Sequence, residues 1–181
     1  VTTNAIAEGE VMQLLNAHVA ETSEQAYLDT IYRKTARLFE SAAQLGGIIA
    51  SADPVMVDAL GKYGKHLGNA FQLVDDLLDY QSSSEEMGKN TGDDLAEGKP
   101  TLPLIEAMQR GTTEQKSLIK HAIEQGEIDK LAEILEIVKQ TGALQYTYKA
   151  AQTQSAAAVE AISGLPDSDY KTALIDLANF S

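Results

Sequence analysis

Three aspartates and a glutamine lie together near the end of one predicted helix. The segment 72–79 reads Q-L-V-D-D-L-L-D. A helix turns by about 100° per residue, so Asp79 lies about 40° from Asp75 around the axis, Asp76 about 100° and Gln72 about 60°. One side of this helix therefore carries three carboxylates and an amide.

These carboxylates are unfavourable for the helix unless a cation binds to them. Like charges three or four residues apart destabilise a helix by about 0.2–0.5 kcal/mol each, and carboxylates in the last turns face the negative end of the helix dipole. No Lys or Arg follows within a turn. Oxygen ligands with room for water suit Mg²⁺, which also takes phosphates. The pattern predicts Mg²⁺ ligands at Asp75, Asp76 and Asp79, although a solvated acidic face is an open alternative.

The segment that follows has a phosphate-binding composition. Residues 88–95 read G-K-N-T-G-D-D-L, and residues 98–101 read G-K-P-T. Lys supplies positive charge and Gly exposes backbone N–H groups. An irregular segment as long as 82–100 is usually functional or disordered. Lys89 and Lys99 are therefore candidate diphosphate ligands.

The hydrophobic spacing is helical along the whole chain, and no convincing alternating strand is present, so an all-α fold is predicted. Asp53 followed by Pro54 is a helix start signal, and Thr112 with Gln115 predicts a capping box for a helix that ends at Gly126. The predicted helices are approximately 3–18, 23–50, 54–81, 101–110, 112–126, 127–141, 143–163 and 167–181.

Length and composition indicate one acidic domain, 1–181. The net charge of −13 argues against binding to nucleic acid or to anionic membranes, and no apolar run approaches the roughly 20 residues of a membrane span. The absence of Cys excludes disulfides and thiolate sites and fits a reducing compartment, so we expect a cytoplasmic protein. Because the helical pattern begins almost at Val1, we expect this chain to be part of a longer one.

Two segments together resemble the second aspartate-rich region of trans-isoprenyl diphosphate synthases. They are F-Q-L-V-D-D-L-L-D-Y at 71–80 and G-K-N-T-G-D-D-L-A-E-G-K-P-T-L-P-L at 88–104. The resemblance extends to I-A-E-G-E at 6–10 and K-T-A-R-L-F-E at 34–40, and weakly to the end of the chain. It is strongest to the bacterial long-chain, octaprenyl type, and implies an incomplete all-α isoprenoid synthase fold.

The resemblance implies a Mg²⁺-dependent reaction and a role for particular residues. An allylic diphosphate such as farnesyl diphosphate ionises, and isopentenyl diphosphate attacks the cation. Asp75 would be the main Mg²⁺ ligand, with Asp76 and Asp79 supporting it, while Asp93 and Asp94 would orient the loop. Thr35 would lie at a local helix irregularity near the reacting carbon. The residues implied at the allylic diphosphate are Lys34, Gln72, Lys89 and Lys99.

The resemblance also implies a homodimer, with helices 3–17 and 27–50 as contributors, and a product used as a quinone side chain. The family's first aspartate-rich motif is absent from 1–181, so we expect this chain alone to bind Mg²⁺ weakly and to turn over nothing. Two alternatives are a non-catalytic helical subunit of a heteromeric synthase and a terpene cyclase. The first tends to lose the acidic motif, and the second uses a different metal-binding spacing.

Overall fold

The computed structural model describes residues 2–81 and 92–180. Within these residues every regular element is helical and no strand occurs, which confirms the all-α prediction. A π-helical turn, Tyr32–Ala36, joins the second and third helices without a break. The helices are α1 (Thr2–Asn16), α2 (Glu24–Ile31), α3 (Arg37–Ile49), α4 (Pro54–Gln81), α5 (Asp93–Ala96), α6 (Leu102–Arg110), α7 (Thr113–Gln125), α8 (Leu131–Gln140), α9 (Ala143–Ala161) and α10 (Asp169–Phe180).

Local capping signals place several helix ends where the sequence predicts them. The Asp53 side chain accepts a hydrogen bond from the backbone N–H of Met56 at 2.9 Å, which satisfies a donor of the first turn of α4. Thr112 and Gln115 form the predicted capping box of α7. Gly126 ends that helix with a φ of 66°, a backbone conformation that favours glycine.

One predicted boundary is wrong, and two predicted segments have additional internal structure. The helix predicted for 127–141 begins at Leu131, because the preceding residues form a turn closed by the Leu131 N–H and the Ile128 carbonyl at 2.9 Å. The helix predicted for 23–50 is continuous over Glu24–Ile49 and contains the π turn. In the predicted irregular segment, the described residues 92–100 include the single-turn helix α5.

The chain divides into two compact units. The first comprises Val1–Glu10, Thr30–Gln72 and Ala150–Ser181, and the second comprises Val11–Asp29 and Leu73–Lys149. Each has its own buried core, and the single domain 1–181 stays a prediction. The core of the first unit contains Tyr63, Leu67, Ala158, Ile162 and Ala178. That of the second contains Leu95, Leu104, Ile119, Ile123, Ile134 and Val138 among others.

In the described parts of the chain, no helix has both the length and the apolar character needed to cross a bilayer. The small residues of α3 and its end predict close helix packing; they are Ala42, Ala43, Gly46, Gly47 and Ala50. Gly47 fits this prediction, since a Cβ added there would lie 3.0 Å from a methyl carbon of Leu60. Its neighbour Gly46 does not, because a Cβ there would meet nothing within 4 Å.

Candidate functional site

The π turn of the first unit carries Lys34 and Thr35. The backbone N–H of Arg37 donates to the carbonyl of Tyr32, five residues earlier, so the helix accommodates one extra residue at this point. Such turns inside α-helices often occur at functional sites. The irregularity that the resemblance implies at Thr35 is therefore confirmed.

Thr35 and Gln72 contact each other in the first unit. The Thr35 hydroxyl donates to the side-chain oxygen of Gln72 at 2.9 Å. Lys34, on the same turn, has its Nζ 3.9 Å from a carboxylate oxygen of Glu10. We refer to Lys34, Thr35 and Gln72 as the π-turn cluster, which combines a cation, a hydroxyl and an amide of the kinds that bind and orient a diphosphate.

Asp76 is the most buried of the three predicted carboxylates. Its side chain is only 3% exposed, and the buried Tyr27 hydroxyl donates to its Oδ2 at 2.7 Å. Burial, together with the negative charge of Asp76, raises the pKa of Tyr27 well above its ordinary value. The tyrosine therefore keeps its proton and holds Asp76 in one orientation. We refer to Asp75, Asp76 and Asp79 as the carboxylate cluster.

Asp79 is partly buried and lies close to another carboxylate. Its Oδ2 accepts the backbone N–H of Asp94 at 3.3 Å. Burial and then the charge of Asp94 raise the pKa of Asp79 to about 6, although hydrogen bonds from the backbone oppose this rise. Ionised Asp79 is therefore unfavourable by itself, and a bound cation would relieve it. Asp75 lies on the same helix and is partly exposed.

Lys99 is linked to Asp79 through Asp94. The Lys99 Nζ lies 3.0 Å from Oδ1 of Asp94 and 2.7 Å from a carboxylate oxygen of Glu97. Burial alone would lower the pKa of Lys99, but these two carboxylates outweigh it and raise the pKa above the ordinary value. Lys99 is thus a cation that is connected to the carboxylate cluster through Asp94. The orienting role that the resemblance implies for Asp93 and Asp94 stays a prediction.

A second buried tyrosine fixes the chain next to these groups. The Tyr80 hydroxyl and the Thr101 hydroxyl are 3.0 Å apart, and both residues are buried. Tyr80 follows Asp79 directly, and Thr101 comes two residues after Lys99. Sequence reasoning missed Tyr27, Tyr80 and Thr101, because the residues they contact lie far away along the chain and no local spacing marks such pairs.

The carboxylates suit Mg²⁺ that is shared with a phosphate. In residues 2–81 and 92–180 no group of three or more His, Cys, Asp or Glu side chains is arranged to hold a metal by itself. Mg²⁺ is commonly bound by one or two carboxylates together with water and substrate phosphates. The oxygen donors of Asp75 and Asp79, and the excess negative charge indicated by the raised pKa of Asp79, fit this mode. The ligand roles of the carboxylate cluster stay predictions.

Lys89 lies outside the described residues, so its predicted contact with a diphosphate stays a prediction. Of the other predicted residues, the structure brings Thr35 into contact with Gln72 within the first unit. In the second unit, Asp94 connects Asp79 and Lys99.

Residues 1–140 match the family model described as polyprenyl synthetase. The chain is 51% identical over 180 residues to the octaprenyl diphosphate synthase of Haemophilus influenzae, which is 99% of this chain and 55% of that protein. It is 50% identical over 179 residues to the octaprenyl diphosphate synthase of Escherichia coli, covering 98% of this chain and 55% of that protein. The chain therefore spans about half the length of the curated relatives it matches.

Solved structures show the same fold. The polyprenyl synthase from Caulobacter crescentus, complexed with calcium and isoprenyl diphosphate, superposes with a TM-score of 0.93 at 39% identity. The superposition covers 99% of this chain and 55% of that one. The fold class predicted from the sequence is thus confirmed as that of the polyprenyl synthases.

Proposed function

The chain belongs to the polyprenyl synthetase family, and on this basis we propose that it forms part of the catalytic site of a long-chain polyprenyl diphosphate synthase. In the proposed reaction the allylic C–O bond of a diphosphate such as farnesyl diphosphate breaks, and the diphosphate leaves with the electron pair. The double bond of isopentenyl diphosphate then forms a C–C bond to the allylic carbon, and a proton is lost. Repeated head-to-tail additions give a long-chain polyprenyl diphosphate for a quinone side chain.

The observation that carries this proposal is the connection of Asp79, Asp94 and Lys99. One residue, Asp94, donates its backbone N–H to Asp79 and pairs its carboxylate with Lys99. A diphosphate bound here would meet a carboxylate able to share a cation with it and an ammonium group able to neutralise it directly. Lys99 would exchange its present contacts with Asp94 and Glu97 for the phosphate oxygens.

The three aspartates have different surroundings, which suggests different roles. Asp75 is partly exposed and is proposed as the main Mg²⁺ ligand, with Asp79 supporting it. Asp76 is buried beneath the Tyr27 hydroxyl and is proposed to orient this end of α4 and to act through water. When bound, Mg²⁺ would supply electrostatic stabilisation of the leaving diphosphate.

The π-turn cluster is proposed to contact the allylic substrate. Lys34 and Lys89 would neutralise the diphosphate as charged donors. Thr35 and Gln72 would orient the region of the reacting carbon, and the hydrogen bond between them keeps the two side chains in fixed relative positions. The oxygens of these two side chains are acceptors, and preorganised dipoles of this kind would stabilise the positive charge that develops on the allylic carbon.

We also propose that the parent enzyme is a homodimer and that this chain alone turns over nothing. Two facts support the second statement: residues 1–181 contain one D-D-x-x-D segment, and the chain covers 55% of the two octaprenyl diphosphate synthases. Elongation of farnesyl diphosphate by the purified 181-residue chain would contradict it.

A chimaera tests the proposed activity directly. The matched segment of the Haemophilus influenzae octaprenyl diphosphate synthase is replaced by this chain, and radiolabelled isopentenyl diphosphate is supplied with farnesyl diphosphate and Mg²⁺. We expect chain elongation, with products sized by chromatography. Activity should be lost with Asp75→Ala and kept with Asp58→Asn, a control on α4 whose carboxylate is exposed and paired with Lys62.

Two results would contradict the proposal. One is a folded but inactive chimaera, because this chain would then lack catalytic function. The other is an active chimaera that is insensitive to Asp75→Ala, which would mean that the carboxylate cluster is an ordinary acidic surface.

A further inference from the structure

Gly9 of α1 lies directly against the backbone of the π turn. A Cβ placed on Gly9 would be 2.7 Å from Cα of Lys34 and 2.8 Å from the carbonyl carbon of Arg33. Ordinary van der Waals contact begins at 3.4 Å. The atoms that Gly9 approaches are main-chain atoms, which cannot rotate away as a side chain can. Any larger residue would therefore displace α1 or the π turn.

A second glycine approaches the same turn from another helix. A Cβ on Gly68 of α4 would lie 2.5 Å from Cα of Ala36, the last residue of the π turn. The residues that carry Lys34 and Thr35 are thus enclosed on two sides by glycines. The positions of these two side chains depend on contacts that only glycine permits.

The residues on either side of Gly9 form ion pairs with side chains of the π turn. Glu8 pairs with Arg33 at 3.1 Å, and Glu10 pairs with Lys34 at 3.9 Å. These ion pairs are partly exposed and add little stability. Their positions on either side of Gly9 show that this turn of α1 faces Lys34.

We propose that Gly9 and Gly68 are positioning residues, which set the location of Lys34 and Thr35 for binding the diphosphate. This inference rests on the proposed function of the π-turn cluster. Restoring ordinary contact at Gly9 would require a displacement of about 0.7 Å or more, judged from the 2.7 Å approach to Lys34. Misplacement of a functional group by about 1 Å can slow a reaction on the order of a hundredfold.

Gly46 is a matched control in the same unit. It lies inside α3, yet a Cβ there would meet nothing within 4 Å. The change Gly46→Ala therefore adds the same methyl group to a helix without a clash. It separates the effect of helix propensity from the effect of displacing the π turn.

The experiment is an NMR titration of the ¹⁵N-labelled 181-residue chain with inorganic pyrophosphate in the presence of Mg²⁺, a method that detects weak binding. The amide resonances of Lys34, Thr35 and Ala36 report the site. Wild type and Gly46→Ala should give the same affinity. Gly9→Ala and Gly68→Ala should bind about tenfold more weakly, the loss expected when one charge-assisted contact is loosened. Because only the folded population is titrated, a loss of stability alone would leave this affinity unchanged.

The outcomes distinguish the inference from the function on which it rests. If the wild-type amides do not respond to pyrophosphate, the proposed role of the π-turn cluster is wrong and the inference fails with it. If wild type binds and both folded variants bind equally well, only the positioning role is wrong. If the variants do not fold, they are repeated in the Gly46→Ala background. Failure to fold there as well overturns the inference, because the glycines would then serve the fold as a whole.

Discussion

The π-turn cluster and the carboxylate cluster are held in place in different ways. In the first, close backbone packing at Gly9 and Gly68 and one neutral hydrogen bond between Thr35 and Gln72 fix the side chains. In the carboxylate cluster, the side chains are fixed although burial of their negative charges is unfavourable. Asp79 has a raised pKa, and Asp76 is buried under a tyrosine hydroxyl.

This difference shows which changes each cluster should tolerate. A cluster fixed by packing is sensitive to added volume and insensitive to pH. A cluster of carboxylates is sensitive to the loss of a hydrogen-bond donor, to protonation and to cations. The following predictions test this contrast with matched substitutions, in which the same chemical change is made at two different positions.

The largest effect is expected for Tyr27→Phe in the second unit. The change removes the hydroxyl that donates to buried Asp76, and hydrogen bonds to charged groups contribute about 1.5–3 kcal/mol. The free energy of unfolding should fall by about 2–3 kcal/mol, measured by urea denaturation. The control is Tyr63→Phe in the first unit, where another buried tyrosine donates through a part-buried hydroxyl to the neutral carbonyl of Leu174 at 2.8 Å. That change should cost only about 1 kcal/mol, and equal losses would contradict the contrast.

Gly9→Ala should lower the free energy of unfolding by about 1–3 kcal/mol, because the added Cβ overpacks the backbone of Lys34. The same denaturation experiment checks this value at pH 5 and pH 7. The loss should be the same at both pH values, since no charge changes. A loss that disappears at one of them would show that the π turn is held by charge instead.

Asp79→Asn should stabilise the folded chain at neutral pH. The folded-state pKa of Asp79 is raised from 3.8 to about 6. Protonated Asp79 therefore contributes stability that is fully present below the pKa of the unfolded chain, and this stability is lost as the pH rises through about 6. Asparagine avoids the buried charge and can still accept the Asp94 N–H. We expect a gain of about 1 kcal/mol at pH 7, after a discount for solvent screening.

The gain from Asp79→Asn should shrink to nothing near pH 4, where Asp79 of the folded protein is protonated. Denaturation curves of variant and wild type at pH 4, 5.5 and 7 measure the difference. Asp58→Asn on the same helix is the control, because it makes the same chemical change at an exposed carboxylate. A pH-independent difference for Asp79→Asn would contradict the raised pKa.

Gly46→Ala should have the smallest effect, a gain of about 0.5–1 kcal/mol, because alanine is the better helix former and meets nothing within 4 Å. Thermal or urea denaturation measures it. A loss of stability would mean that the glycine on this face of α3 has a backbone role that its surroundings do not reveal.

Features encoded by neighbouring residues could be predicted from the sequence. Asp53 and the Thr112 capping box mark helix starts, because capping is decided within four residues. The late start of α8 at Leu131 was not predicted, since no side chain caps it and a turn precedes it. The types of residue that form the candidate site could be predicted from the sequence. The contact of Tyr27 with Asp76 was not, because 49 residues separate them along the chain.

The π turn is an intermediate case. Periodicity alone predicts an uninterrupted helix over 23–50, because three- and four-residue spacings continue through Tyr27, Ile31, Thr35 and Leu38. Only the resemblance to a family implied an irregularity at Thr35, and the structure shows it at Tyr32–Ala36. The close approach of Gly9 to that turn depends on tertiary packing, which the order of residues in the sequence does not reveal.

The most direct test of the central claim is the Mg²⁺ dependence of pyrophosphate binding, measured by NMR titration of Asp75→Asn, Asp79→Asn and the control Asp58→Asn. If the carboxylate cluster binds a cation shared with a diphosphate, wild type and Asp58→Asn will bind pyrophosphate only when Mg²⁺ is present. Asp75→Asn and Asp79→Asn will lose that binding. Binding that does not require Mg²⁺, or that is equal in all four proteins, would contradict the claim and identify the cluster as a solvated acidic face.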